Sequence, residues 1–342
     1  MDVRYSPEQG ALRDAAAHVV ERLGVRVVAD LDDEERRTAL AAAVEASGWR
    51  ELRTPAEGGR PCASAVEVAI VAEELGRGLA DVNFLGATLA ADLRRVAGAR
   101  SAAMPETVAL SADLAELASS VEGTLSGRAV ALDASSCSTA LVLVAEGDGF
   151  ALGAVQLTPR TGGADLTRPT AACPAGSAVA AIDASSRLLS SDAIAASVSL
   201  GLATSCADLV GVMRGALTMA CDYARSRHQY GAAIGSFQAI QHLLADALVL
   251  MEGSRSIALH AAWAVDALPA SDALPAAAAA KAYCARAART VCESVIQVHG
   301  GVGNTWECVA HLYLRRALLS SDVLGGVGDS LHRVLAARGV GV

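Results

Sequence analysis

Residues 225–251, RSRHQYGAAIGSFQAIQHLLADALVLM, constrain the fold of this chain more than any other stretch, because two patterns meet inside them. The second half repeats apolar residues at Ile240, Leu243, Leu244, Ala247, Leu248 and Met251, the spacing of one buried helical face. The first half is basic and irregular: Arg225, Arg227, His228 and Gln229, then Tyr230-Gly231 and Gly235-Ser236. A helix therefore starts after a glycine-rich bend, and Ser236 stands where an N-cap belongs. The first turn of a helix leaves backbone N–H groups without intrahelical partners. A guanidinium beside such a start suits a phosphate or pyrophosphate. The same residues also describe an ordinary solvated turn between two helices.

The rest of the chain sorts into blocks by period. Up to about Arg100 it reads as helices. Ser6-Pro7-Glu8 offers a cap with proline in the first turn. Asp32-Asp33-Glu34-Glu35 puts acids at a helix start, and Gly48 closes that helix. Ser64 and Glu67 have capping-box spacing ahead of a helix over 64–79, in which Val68, Val71, Leu75 and Leu79 share a face while Glu67, Glu73 and Glu74 take other positions. His18, among Ala and Val, reads as a structural residue rather than a ligand. Near Ala103 the runs shorten to VALSADL, RAVALDA, TALVLVAEG and FALGAVQL, with Gly147-Asp148-Gly149 as a hairpin turn and Pro159, Pro169 and Pro174 keeping part of the block irregular.

From Ser191 helices return. Leu202, Cys206, Leu209, Met213 and Leu217 share one face of a helix ending at Arg225. After the opening stretch comes a helix over 275–298 that runs into Gln297-Val298-His299-Gly300-Gly301-Val302-Gly303-Asn304. These glycines allow positive φ and close backbone approach, or simply end a helix. Another helix begins near Thr305 and carries His311, Arg315 and Arg316; a short one follows Gly325-Gly326-Val327-Gly328-Asp329. The expected fold is α+β and mostly α: an N-terminal helical domain over 1–103, a small middle β-domain (a short sheet or open barrel) over 104–190, and a C-terminal helical bundle over 191–342.

Composition narrows the function. Hydrophobic residues are 53% but aromatics only 3%, which suits close-packed helices of Ala, Leu and Val. A net charge of −9 argues against a general nucleic-acid binder, which needs a basic face. The eight cysteines form no CxxC pair and are expected as reduced thiols of a cytoplasmic protein, with no metal centre; Cys221, Cys284 and Cys292 fall in core patterns. No signal-peptide pattern and no uncharged apolar run of about 18 residues appears, so no membrane span is expected.

Two separated stretches, RSRHQYGAAIGSFQAIQHLLAD and VCESVIQVHGGVGNTWECVAHLYLRR, together resemble the acyl-CoA dehydrogenase family, and the order of helices, β-domain and four-helix bundle agrees along the chain. The resemblance implies an FAD-dependent oxidoreductase that desaturates an acyl thioester between Cα and Cβ, a base taking the α-proton and the flavin the β-hydride. It also implies an oligomer, since in such families the FAD pyrophosphate and adenosine lie across a subunit interface. Arg227 would contact the pyrophosphate with Gln229 and Tyr230 beside it. Phe237 and Gln238 would lie near the adenosine. Gln297, Gly300 and Gly301 would come from a neighbouring subunit. An arginine fork matches phosphate oxygens; Gln238 and Gln297 equally suit hydrogen bonds inside the bundle.

The chain also departs from the family pattern. Where the family carries its catalytic glutamate in a Tyr-Glu-Gly-Thr segment, this chain reads Asp322-Val323-Leu324-Gly325-Gly326, with Leu324 at the glutamate. A second family position, at the start of the long helix before the basic turn, reads Leu200-Gly201-Leu202. Neither can take a proton. Asp208, Asp322 and Glu307 remain as substitutes, each equally read as a solvated or ion-paired residue. Asp208 is the favoured catalytic candidate: it follows Gly201 by about two turns on the same face, and its neighbours Thr204, Ser205, Gly211 and Val212 are uncharged, so burial is expected to raise its pKa. The Thr-Glu-Pro and Trp-Ile-Thr-Asn segments that flank the flavin ring are not visible; Leu132-Asp133-Ala134-Ser135-Ser136 stands about where the second belongs.

These departures point to a base-less subunit, similar to the short bacterial members that pair as heterotetramers in steroid side-chain or other branched acyl-thioester breakdown. The substrate would be a CoA or carrier-protein thioester, the partner a related chain, and an electron-accepting flavoprotein a further partner. Two alternatives stand beside this reading. One is a stand-alone biosynthetic enzyme using the fold for a different oxidation or a non-redox elimination or rearrangement. The other is a scaffold without catalysis.

Overall fold

The computed structural model describes residues 4–158, 163–182 and 187–340; Pro159 lies outside them. The N-terminal helices start where an oxygen can satisfy orphan N–H groups. α1 (Pro7–Leu23) begins at Ser6, whose Oγ accepts from the Gln9 N–H at 3.2 Å while the Ser6 N–H donates to Gln9 Oε1 at 3.1 Å. α2 (Glu34–Ala46) is capped by Asp33, and Gly48, at φ +65°, turns the chain out of it. α3 (Ala65–Arg77) starts at Ser64, which accepts from the Val66 N–H at 3.2 Å and donates its own N–H to Glu67 Oε2 at 2.8 Å. α4 (Leu85–Ala97) has no cap from its own side; Asp133, far along the chain, accepts the Gly86 N–H at 3.1 Å.

The middle block holds β1 (Glu106–Ser111), β2 (Ser119–Val121), β3 (Thr124–Leu125), β4 (Ala129–Ala131), β5 (Thr139–Glu146), β6 (Gly149–Gln156), β7 (Ala171–Cys173) and β8 (Val179–Ala181). β5 and β6 pair antiparallel from Thr139–Gln156 to Glu146–Gly149 about the expected turn, with Gly147 at φ +55°. β1 and β2 run parallel to β5, and β1 also pairs β4, which pairs β7. β8 pairs β6, and a bridge from Thr124 to Ala178 joins it to β3. Strands β5, β2, β3, β8 and β6 thus close into a small ring. A second core cluster, made largely of Ala with Leu125, Val142 and Val155, spans the ring and the neighbouring strands β1, β4 and β7.

α5 (Ser191–Ser226) is the axis of the molecule. α3, α4, α6 (Gln238–Ala267), α7 (Ala270–His299) and α8 (Ala310–Asp322) pack on it, and α9 (Val327–Ala337) packs on α7. By length and composition α5 is apolar enough to cross a membrane, but 72% of its apolar window is buried, as in the core helix of a bundle. α3 crosses it closely because Gly211 and Gly215 lack side chains: a Cβ there would stand 1.9 Å from the Glu73 carbonyl oxygen and 2.2 Å from that of Arg77.

Several expectations change. Glu73 and Glu74, placed off the buried stripe by the sequence pattern, are buried in α3 between α1 and α5. Arg214 pairs with both, and Arg77 with Glu74. Burial still pushes the Glu73 carboxyl above its usual range, against Arg214 and Arg255. α7 starts at Ala270, five residues before the proline that looked like its first turn. α8 starts at Ala310 rather than near Thr305, because Gly300–Asn304 forms a short 3-10 turn. Cys284 and Cys292 are buried; Cys221 is only partly so.

Candidate functional site

The basic turn is a hairpin at the end of α5. His228–Gln229 pairs with Ala232–Ala233, and Tyr230 and Gly231 form the tip at φ +52° and +80°, the geometry of a tight hairpin turn. Tyr230 is 97% exposed and stands edge-on to Phe237, ring centroids 6.4 Å apart. Gln229 and Gln238 are exposed beside them. Arg225 pairs with Asp222 at 2.9 Å, whereas the exposed Arg227 guanidinium has no hydrogen bond or ion pair among the described residues. Ser236 is not the cap of α6: its Oγ donates to the Ala233 carbonyl at 2.7 Å inside a short 3-10 turn, Ile234–Ser236. Phe237 takes the cap position, so no side chain serves the N–H groups at the start of α6.

Gln297, Gly300 and Gly301 lie exposed at the end of α7. Of these glycines only Gly300 takes positive φ, +64°, and a Cβ on either Gly300 or Gly301 would meet open space. His299 stacks on Tyr223, ring centroids 4.4 Å apart, so the ends of α7 and α5 are neighbours. Both predicted sets thus sit at one end of the bundle. α6 starts next to the hairpin, and in its first half Ala247 and Met251 are buried while Ile240 and Leu244 pack partly buried against the core. Ile240, Leu243 and Leu244 are half-buried, while Leu248 and Val249 are 47% and 69% exposed.

The two segments where the resemblance places a base come together in space. Leu324 is buried, and a Cβ on Gly201 would stand 2.3 Å from Leu324 Cδ1 and 3.1 Å from Leu89 Cδ2. Leu200 and Leu202 are buried as well. This meeting point is apolar and filled.

Asp208 is buried as expected, but the reason for favouring it is reversed. Burial alone would raise its pKa; Arg316 and Arg168 hold it below the usual carboxylate range. Arg316 donates to Asp208 Oδ1 from Nη2 at 2.6 Å and Nε at 3.0 Å, and the Ser320 hydroxyl donates to Oδ2 at 2.7 Å. A carboxylate so occupied is a counterion, poorly placed to accept a substrate proton. Asp322 and Glu307 are exposed. Arg168, absent from the sequence reading, continues the network: its Nε donates to Asp133 Oδ1 at 2.6 Å and its Nη1 to Ser320 Oγ at 2.8 Å. The only local hint was Asp165-Leu166-Thr167, where Asp165 Oδ1 accepts the Thr167 N–H at 2.8 Å and shapes the loop that delivers Arg168. Beside Asp133, Arg168, Asp208 and Arg316 a cavity of about 20 Å³ remains, enough for one water.

Comparison with known proteins places the chain. Residues 6–95 match the acyl-CoA dehydrogenase N-terminal domain and residues 193–340 the acyl-CoA dehydrogenase C-terminal domain. The acyl-CoA dehydrogenase IpdE2 of Mycobacterium tuberculosis is 31% identical over 344 residues, 96% of this chain and 96% of that protein. A shorter match, 41% identical over 136 residues, takes in 40% of this chain but only 19% of the acyl-CoA dehydrogenase FadE34 of the same organism. In fold the chain is similar to the ChsE4-ChsE5 complex from Mycobacterium tuberculosis, with a TM-score of 0.79 at 22% identity over 100% of both chains.

Proposed function

The chain belongs to the acyl-CoA dehydrogenase family, whose members are FAD-dependent oxidoreductases, and on that premise we propose that it is the subunit of a heteromeric acyl-CoA dehydrogenase that helps to hold FAD and supplies no base. The observation that carries this reading is the packing of Leu324 on Gly201 and Leu89, which leaves apolar carbon at both segments where a proton acceptor belongs. That ChsE4-ChsE5, of the same fold, is a two-component complex supports it.

The donor set fits one end of FAD. The Arg227 guanidinium without a partner among the described residues, the uncapped start of α6 and the amides of Gln229 and Gln238 suit a pyrophosphate and adenosine. Gln297 with the open backbone at Gly300 and Gly301 would reach the FAD of a neighbouring subunit. At the ring end the chain lacks the family's flanking segments, and Asp133, which stands about where one of them belongs, is engaged by Arg168 and the Gly86 N–H. Bound FAD supplies the hydride acceptor for desaturation. This chain's residues would bind and orient its phosphate end, while the related chain supplies the base and the acyl pocket. Asp208 would hold Arg316 and Arg168, not move a proton.

The test is co-expression of this chain with its genomic neighbours, followed by isolation of any related, glutamate-bearing chain that binds it. The expected product is a yellow hetero-oligomer that oxidises an acyl thioester. Changing Arg227→Ala should weaken FAD binding roughly tenfold to a hundredfold, the worth of a charge-assisted contact. Unchanged flavin content would remove Arg227 from the site. A yellow homo-oligomer with turnover would return the reading to a stand-alone enzyme.

A further inference from the structure

We infer that the stack of Tyr223 on His299 is a joint that positions the flavin-facing groups at two helix ends, so that both side chains are positioning residues without touching flavin themselves. Helix ends fray, because their last carbonyl groups lack intrahelical partners. Here each end is tied into the turn that follows it. The Tyr223 carbonyl accepts the Arg227 N–H at 2.8 Å and the Ser226 hydroxyl at 3.2 Å, and the Arg227 carbonyl accepts the Ile234 N–H at 2.8 Å. The far side of the hairpin lies on the same end of α5: a Cβ on Gly235 would stand 3.0 Å from the Ala224 carbonyl oxygen. On α7 the Gly300 N–H donates to the carbonyls of Gln297 and Ile296, and a Cβ on Gly303 would stand 3.0 Å from His299 Cβ. The hairpin thus springs from Tyr223 and the glycine turn from His299.

The two rings then fasten one turn to the other. Their planes lie 23° apart, an offset stack of the kind aromatic pairs favour. His299 is buried, and its Nδ1–H donates to the Val295 carbonyl at 2.8 Å, which fixes the plane of the imidazole. Tyr223 is half-buried and packs against the main core. Displacing either ring moves Arg227, four residues beyond Tyr223, or Gln297 and Gly300, two before and one after His299. Arg227 is offered to one FAD, and Gln297, Gly300 and Gly301 to the FAD of a neighbouring subunit. One stacked pair therefore sets the span between two flavin sites, and a bidentate guanidinium holds phosphate only where its fork is placed correctly. That meaning rests on the proposed flavin role, but the joint itself can be tested without it.

The experiment has two readouts. On the complex isolated from co-expression, FAD is titrated by its fluorescence well below the unfolding midpoint. His299→Ala and Tyr223→Ala should each weaken FAD binding roughly twofold to tenfold, the worth of one aromatic stack. The double variant should bind no worse than the weaker single one, because both changes remove the same contact. Tyr223→Phe keeps the ring and should restore most of what Tyr223→Ala loses, a rescue that general loosening of the fold would not give. On the full-length chain alone, hydrogen exchange at the Arg227 and Ile234 amides should quicken by a similar factor in His299→Ala, relative to amides in the middle of α5. Losses that add in the double variant, a Tyr223→Phe chain as weak as Tyr223→Ala, or unchanged exchange in His299→Ala would overturn the inference. Should His299→Ala not fold, His299→Gln, which also lacks an aromatic ring, takes its place with the same expected changes. Flavin binding indifferent to Arg227→Ala would instead sink the proposed function, and the exchange readout would still decide the joint.

Discussion

Lys281 is fully buried in α7, and burial, only partly offset by Cys206 and Asp322, pulls its pKa from 10.5 down to about 8. Between these values the unfolded chain binds more protons at this site than the folded one, so the group makes stability rise with pH across that window and leaves it lower below pH 8. A drop from 10.5 to about 8 corresponds to roughly 3 kcal/mol. Tyr313 and Cys292, both raised to about 12 chiefly by burial, act with the opposite sign in the alkaline range. Comparison with Lys281→Met isolates the lysine. Relative to that variant, the parent should gain about 3 kcal/mol between pH 8 and pH 10.5 in denaturant unfolding; a difference that stays constant with pH would refute the assignment. Asp208 teaches the complementary point at this scale. Its helical neighbours predicted a raised pKa, but the groups that decide it, Arg316 and Arg168, come from α8 and from the loop before β7.

At the scale of elements, local chemistry decided several helix starts. Ser6 and Ser64 cap as their spacing predicts, and Asp33, read among the acids of a first turn, is itself a cap; each satisfies a donor within three residues. Ser236 does not, because the preceding 3-10 turn draws the Phe237 N–H back to the Ile234 carbonyl at 3.1 Å and moves the helix start one residue on. Ser64→Ala should therefore cost about 1 kcal/mol of stability and Ser236→Ala a few tenths, measured as shifts in urea midpoint. Equal losses would restore Ser236 as a cap. Glu73 and Glu74 show the limit of periodicity: α3 is covered on both sides by α1 and α5, which no single helical face can foretell.

For the whole molecule, the first half of α6 leaves Leu248 and Val249 exposed while Ile240, Leu244, Ala247 and Met251 pack on the core. If the proposed hetero-oligomer forms through this face, these two side chains are the ones it covers. Surface changes away from caps and core usually alter stability by less than about 0.5 kcal/mol. Leu248→Glu with Val249→Glu should accordingly leave the unfolding midpoint of the isolated chain almost unchanged while abolishing co-purification with the related chain. Retained association, by native mass, would place the interface elsewhere.

Some of this protein was written locally. The helix and strand periods, the Ser6 and Ser64 caps and the Gly147 turn depend on residues within a few positions of each other, so the sequence alone determined them. Tertiary structure alone decided what separated segments do when they meet. It set Leu324 on Gly201, Arg316 and Arg168 on Asp208, and Asp133 on the start of α4. The physical reason is that a side chain's protonation and the space around it are fixed by whatever packs against it, and here those neighbours lie tens to more than a hundred residues away along the chain.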